Sequence, residues 1–167
     1  MIYKYEDVRA IHLEITEKCQ AACPMCDRNI HGGKDNPNLG MHELYLDDIK
    51  EMMPPEFVQQ LERIYMCGNF GDPIVAKDTL EVFQYFRSQK RELTLGMNTN
   101  AGAKKPELWR ELAKTLGNWS YVKFGFDGLA DTNHLYRQNV NWDIAWENAV
   151  AFIEAGGKAH WDYLIFS

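Results

Sequence analysis

Residues 15–26 read ITEKCQAACPMC and place three of the chain's four cysteines, Cys19, Cys23 and Cys26, within eight positions. The stretch follows AIHLEI (10–15), a short apolar run of the kind that forms a buried strand. A disulfide uses two thiols and a closed structural zinc site uses four ligands. Three thiols spaced C-x3-C-x2-C on a loop leaving a strand therefore need another explanation.

Outward from this loop the pattern repeats. RIYMC (63–67), LTLGMN (93–98), YVKFGFD (121–127) and AHWDYLIF (159–166) are further strand candidates with only partial alternation, as expected of strands covered on both faces. Helical patterns separate them. LYLDDIKEMM (44–53) carries Leu46, Ile49 and Met53 and stops at Pro54-Pro55. DTLEVFQYFRSQK (78–90) starts on Asp78 as N-cap and sets Leu80, Phe83 and Phe86 on one side. PELWRELAKTLG (106–117) opens on proline, spaces Leu108, Leu112 and Leu116, and closes on Gly117. NWDIAWENAVAFIEAGG (141–157) runs from an Asn141 cap through Trp146, Val150 and Ile153 to a glycine pair, with Trp142 and Trp146 read as packing residues. Strand and helix in alternation predict an α/β protein with a parallel sheet.

In such sheets, ligands meet the loops that follow the carboxyl ends of the strands. The unusual polar and glycine-rich segments fall there: TEKCQAACPMC, GNFGDP (68–73), NTNAG (98–102) and DGLAD (127–131). Four such loops on one rim predict one shared site.

Composition bounds the function. At 167 residues, the expectation is one domain spanning 1–167. A net charge of −6 offers no basic face for nucleic acid. No apolar run is long enough for a bilayer, and MIYKYEDVRAIHLEI lacks a signal-peptide core, so a cytoplasmic location is expected. Thiols stay reduced there, which turns clustered cysteines toward metal or redox chemistry.

Thiolates at this spacing can wrap a soft-metal centre, and three sulfurs on a four-iron cubane leave one iron free to bind something from outside. Two alternatives stand beside this: a zinc site recruiting Cys67, His31 or His42, and thiols that are simply packed. Cys67 ends a strand, where a small buried thiol is common, and His12 reads as a satisfied interior histidine. His31, His42, His134 and His160 carry no metal-ligand spacing.

CQAACPMC resembles the cluster-binding motif of the radical S-adenosylmethionine (radical SAM) enzymes, at the place where that family carries it. CGNFGDP resembles the family's G-G-E-P segment after strand two, NTNAG its T-N-G segment, and FGFDGLADTNHLYR the S-x-D-G…H-x-x-Y-R stretch of its peptide- and protein-modifying (SPASM/Twitch-type) branch. The resemblance covers about residues 9–166. It implies a partial (β/α) TIM-like barrel in which Cys19, Cys23 and Cys26 hold a [4Fe–4S] cluster. The free iron takes the amino and carboxylate groups of S-adenosylmethionine, and reductive cleavage gives a 5′-deoxyadenosyl radical that abstracts hydrogen from a substrate.

By the same resemblance Gly68, Asn69 and Asp72 position the methionine ammonium, Arg137 pairs with the carboxylate, and Asn98, Asn100 and Asp127 contact ribose or methionine. Met25 stands where an aromatic usually packs on adenine, Gly125 where serine is common, and Ala101 in place of the glycine of T-N-G. The implied partners are a low-potential electron donor, flavodoxin or ferredoxin, and a peptide or protein substrate, with a small molecule or nucleoside as the alternative. A partner-binding zinc or iron–sulfur protein without catalysis is the reading from another class. The family's barrel has six strands and a C-terminal element, whereas this sequence ends after its fifth candidate strand. A barrel cut short there is expected, its edge met by a missing element, a second copy or a partner.

Overall fold

The computed structural model describes residues 4–165, so Phe166, the end of the fifth candidate strand, lies outside the described residues. Five strands, β1 (Ala10–His12), β2 (Arg63–Met66), β3 (Thr94–Thr99), β4 (Tyr121–Gly125) and β5 (Ala159–Asp162), form one sheet. Their order is β1-β2-β3-β4-β5, and every neighbouring pair is parallel. Met66 is level with Met97, and Gly125 with Asp162.

The helices are α1 (Leu46–Met52), α2 (Pro55–Gln60), α3 (Thr79–Gln89), α4 (Pro106–Leu116), α5 (Asn133–Tyr136) and α6 (Trp142–Glu154). Pro54-Pro55, expected to end a helix, does so and also begins one. Pro55 sits in the first turn of α2, where a missing N–H costs nothing. Asp78 occupies the N-cap position of α3 without capping it; its carboxylate instead accepts the Leu46 N–H at 3.1 Å, tying α1 to α3. Asn141 caps α6 as expected, accepting the Ile144 N–H at 3.1 Å. Gly117 ends α4 with φ 61°, a conformation that favours glycine.

The core lies between the sheet and its helices. Ile64, Met66, Leu95, Met97, Val122 and Phe124 meet Val82, Phe83, Phe86, Trp109, Leu112 and Phe152 from the helices. Each large side chain so covered contributes about 1.5–3 kcal/mol. On α6 the buried side is Ala145, Asn148, Ala149 and Phe152. Trp146 and Ile153, expected on the packed side, remain 44% and 53% exposed. The helix is apolar on both sides, and its alanine stripe makes the closer contact. Trp142 and Trp146 stack at 5.4 Å and lie against Phe126.

β1 is shorter than predicted. Leu13 still donates its N–H to the Tyr65 carbonyl at 2.9 Å, after which the chain turns to pair Thr16 with Glu43. β5 pairs with β4 only, so one side of it is a sheet edge among the described residues.

Candidate metal and cofactor site

Because the strands are parallel, all four unusual loops emerge at one rim; the first three line a cleft of about 280 Å³, which Gly125, Tyr136 and Arg137 complete on either side of the fourth. Cys19, Cys23 and Cys26 line it, with Cys67, Gly68, Asp72, Asn98, Asn100 and Arg137 facing them. All four cysteines are free thiols.

The thiol loop is held by backbone and side-chain contacts. The Cys26 N–H donates to the Cys23 carbonyl at 3.1 Å, closing a tight turn, and the Ala22 N–H donates to the Gln138 carbonyl at 2.9 Å. Arg28, 6% exposed, donates Nε–H to the Glu17 carbonyl at 3.1 Å and Nη1–H to Asp35 at 2.7 Å, fastening both ends of the loop. The Ala21 N–H and Asn100 Nδ2–H point at Cys19 Sγ, at 3.4 and 3.5 Å. Burial, with Asp72 nearby, pushes the Cys19 thiol up to about 12, and burial also raises Cys23 against the opposing pull of Arg137. Both are neutral thiols in the free chain, and a bound metal would have to displace their protons.

Among the described residues, no group of three or more His, Cys, Asp or Glu side chains is placed to hold a single metal ion. The three thiols share one cleft. Of the fourth ligands a zinc site could recruit, Cys67 lines the same cleft as the three thiols, whereas His31 and His42 do not. Three thiols lining one cleft have the donor chemistry that a cluster would take, one thiolate to each of three of its metals.

The second loop presses onto the first. A methyl group at Gly71 would overlap the Thr16 carbonyl, and one at Gly68 would overlap the Gly71 carbonyl oxygen. Only glycine fits either position. Asp72, buried, accepts from Ile74 N–H at 3.1 Å, Thr99 Oγ1–H at 3.0 Å and Asn100 N–H at 2.8 Å. Its carboxylate thereby joins the second loop to the third, and burial raises its pKa despite these donors. Asn69 is exposed and outside the cleft lining, its N–H bonded to the Glu14 carboxylate at 2.9 Å.

In the third loop, Asn98 donates Nδ2–H to Cys67 Sγ at 3.3 Å, and Asn100 accepts from Gln20 at 2.6 Å and from Gly102 N–H at 2.8 Å. Ala101 adopts φ 58°, a left-handed conformation that explains why glycine would suit this position. Asn148 of α6 donates to the Ala101 carbonyl at 2.9 Å and holds the loop down.

In the fourth loop, Arg137 Nε faces Asp127 Oδ2 at 2.5 Å, and Nη1–H reaches toward Cys23 Sγ at 3.7 Å. Asp127 Oδ1 accepts the Leu164 N–H at 2.7 Å, so this carboxylate lies behind the cleft wall and braces it. Gly125 leaves the space that the Arg137 guanidinium occupies. Met25 is 77% exposed and outside the cleft lining.

The structure thus brings Cys19, Cys23, Cys26, Gly68, Asp72, Asn98, Asn100 and Arg137 together, with Asp127 behind, and leaves Met25 and Asn69 to the side. Cys67, expected to be a buried strand-end thiol, is partly exposed and faces the cleft. Gln20, Arg28, Thr99 and Asn148 were not legible as site residues, because a lone polar residue, whether in a loop, at a strand end or on a helix, has no spacing to mark it.

No protein-family model and no curated protein sequence matches the chain. Solved structures do. SuiB of Streptococcus suis bound to S-adenosylmethionine superposes with TM-score 0.68 at 16% identity over 91% of this chain and 33% of its own; another SuiB structure holds the precursor peptide SuiA. BtrN in complex with AdoMet and 2-DOIA gives TM-score 0.63 at 11% identity, covering 92% of this chain and 56% of that one. Methylornithine synthase (PylB) gives 0.64 at 13% identity, covering 94% and 45%. The chain thus spans between a third and just over half of the length of these three proteins. All three are radical SAM enzymes, and the sheet order, the helices outside it and the cleft at its carboxyl rim give this chain the radical SAM fold.

Proposed function

We propose that the chain is the S-adenosylmethionine-binding core of a radical SAM enzyme, with Cys19, Cys23 and Cys26 as the ligands of a [4Fe–4S] cluster. The observation that carries this reading is the set of three thiols in one cleft, at the carboxyl ends of parallel strands. When bound, the cluster would supply one open coordination position and one electron to S-adenosylmethionine, the hard chemistry being the cofactors' own.

The chain's residues would place and shield. Arg137, beside Cys23, offers its remaining donors to a carboxylate. Gly68 lets backbone approach a ligand closely, and Asn98 and Asn100 present amides to the cleft. Asp72 and Asp127 position the loops that carry these groups. Met25 and Asn69 would reach a ligand only at the outer rim.

A peptide or protein substrate is the favoured class, supported by the fourth-loop motif and by the SuiB complex with SuiA. A low-potential flavodoxin or ferredoxin would deliver the electron, in a cytoplasmic setting. No helix among the described residues is long and apolar enough to cross a membrane.

The test is anaerobic reconstitution with iron and sulfide, followed by S-adenosylmethionine and dithionite. A brown chain absorbing near ~400 nm and releasing 5′-deoxyadenosine is expected. A colourless product without iron would overturn the reading.

A further inference from the structure

The two faces of the sheet differ in chemistry. Ile64, Met66, Leu95, Met97, Val122 and Phe124 are buried toward the helices. The alternate positions carry polar side chains: His12, Tyr65, Asn98, Lys123, His160 and Asp162. Contacts across the strands place them on one face. His12 stacks on Tyr65 at 4.8 Å, Asn98 meets Cys67, and Lys123 Nζ lies 3.4 Å from Asp162 Oδ2.

The inside of a (β/α) barrel is ordinarily filled by layers of branched apolar side chains. Here it is polar, and two of its members, Lys123 and Asp162, line the same cleft as the three cysteines. Their side chains are 37% and 54% exposed, so the pair is wet and open to exchange.

A molecule entering the cleft over this pair must deal with both charges. A neutral molecule would desolvate them, and a singly charged one would satisfy one partner while stranding the other. A molecule with an ammonium and a carboxylate a few ångströms apart satisfies both: the carboxylate on Lys123, the ammonium on Asp162. His12 Nε2 is already engaged, by the Cys67 carbonyl at 2.7 Å and Glu14 at 3.1 Å.

We propose that Lys123 and Asp162, side by side on the inner face of β4 and β5, form a recognition site for a zwitterionic group of the substrate. This rests on the reading of the cleft as a reaction site and deepens it. The group is either the head of a free α-amino acid or neighbouring basic and acidic side chains of a peptide.

The test uses the iron- and sulfide-reconstituted chain and ligand binding by calorimetry, a readout independent of S-adenosylmethionine cleavage. The probes are norleucine, N-acetylnorleucine, norleucine amide, and the blocked peptides acetyl-Ala-Lys-Ala-Glu-Ala-amide and acetyl-Ala-Gln-Ala-Gln-Ala-amide. One zwitterionic probe is expected to bind at least about tenfold more tightly than its counterparts that lack one or both charges, the loss of one hydrogen bond to a charged group. Which one does so identifies the source. Lys123→Met and Asp162→Asn should each remove that preference, and the exchanged pair Lys123→Asp/Asp162→Lys should restore it. Equal binding of the zwitterionic probes and of those lacking one or both charges, a preference that survives both single variants, or displacement of the probe by S-adenosylmethionine would overturn the proposal. Iron content and 5′-deoxyadenosine release from the same preparation judge the reading of the cleft separately.

Discussion

Arg137 Nε and Asp127 Oδ2 lie 2.5 Å apart, with the carboxylate fully buried and the guanidinium 21% exposed. The two opposite charges are in direct contact, and, against the opposing effect of burial, Asp127 is among the groups that raise the Arg137 pKa. The pair joins the fourth loop to the thiol loop, because the same guanidinium reaches toward Cys23.

Removing the arginine strands a buried carboxylate. Arg137→Ala is therefore expected to cost on the order of 3 kcal/mol in urea unfolding, and adding Asp127→Asn should return part of that loss. On the reconstituted chain, Arg137→Ala should weaken S-adenosylmethionine binding and leave iron content intact. Loss of iron as well would mean that the arginine supports the thiol loop rather than a ligand.

Cys23→Ala removes the middle of three sulfur donors. The expected outcome is loss of both the brown chromophore and 5′-deoxyadenosine release under dithionite. A variant that still released 5′-deoxyadenosine would show that the ligand assignment is wrong.

Gly68→Ala puts a methyl group into the Gly71 carbonyl, a backbone atom that cannot rotate aside. The turn has to open, at a cost of at least about 1–3 kcal/mol as for other overpacked sites, and the second loop leaves the cleft. Urea unfolding and S-adenosylmethionine binding should both register it. A variant of unchanged stability and affinity would contradict the described loop geometry.

Asp72 supplies a pH dependence. Its folded pKa lies above the unfolded value, so between the two the folded chain holds more protons and stability falls as pH rises. Asp72→Asn carries no titrating group. Its stability deficit relative to the parent should therefore be greatest near the unfolded carboxylate pKa, shrink as pH climbs through the folded pKa, and level off above it. Urea midpoints of both proteins across that range measure it, and a pH-independent difference would count against the burial argument.

Much of the fold was legible in the sequence because each of the first four strand candidates ended in an unusual loop and was followed by a helical pattern. The errors are local. Pro55 was read only as a stop, since a sequence does not show whether the chain resumes a helix at once. Trp146 and Ile153 were placed inward because large apolar residues outweigh alanines in a periodicity, whereas close approach of helices favours the alanines. Convergence of the loops followed from parallel strands. The destination of individual polar groups did not: Asp72 turned inward to Thr99 and Asn100, and Asn69 outward toward Glu14. Lys123 and Asp162 were visible as alternate positions in YVKFG and AHWD, yet partial alternation was taken as a sign of burial on both faces.

Strand order in space equals strand order along the chain. Each segment leaving a ribosome thus finds its neighbour already made, and no gap has to be held open for a later arrival. The thiol loop, emerging first, waits for the residues that will wall it in: Asp72 and Asn100 first, then Arg137. Metal loading of a growing chain would accordingly be guarded only once the fourth strand and its loop have been synthesised.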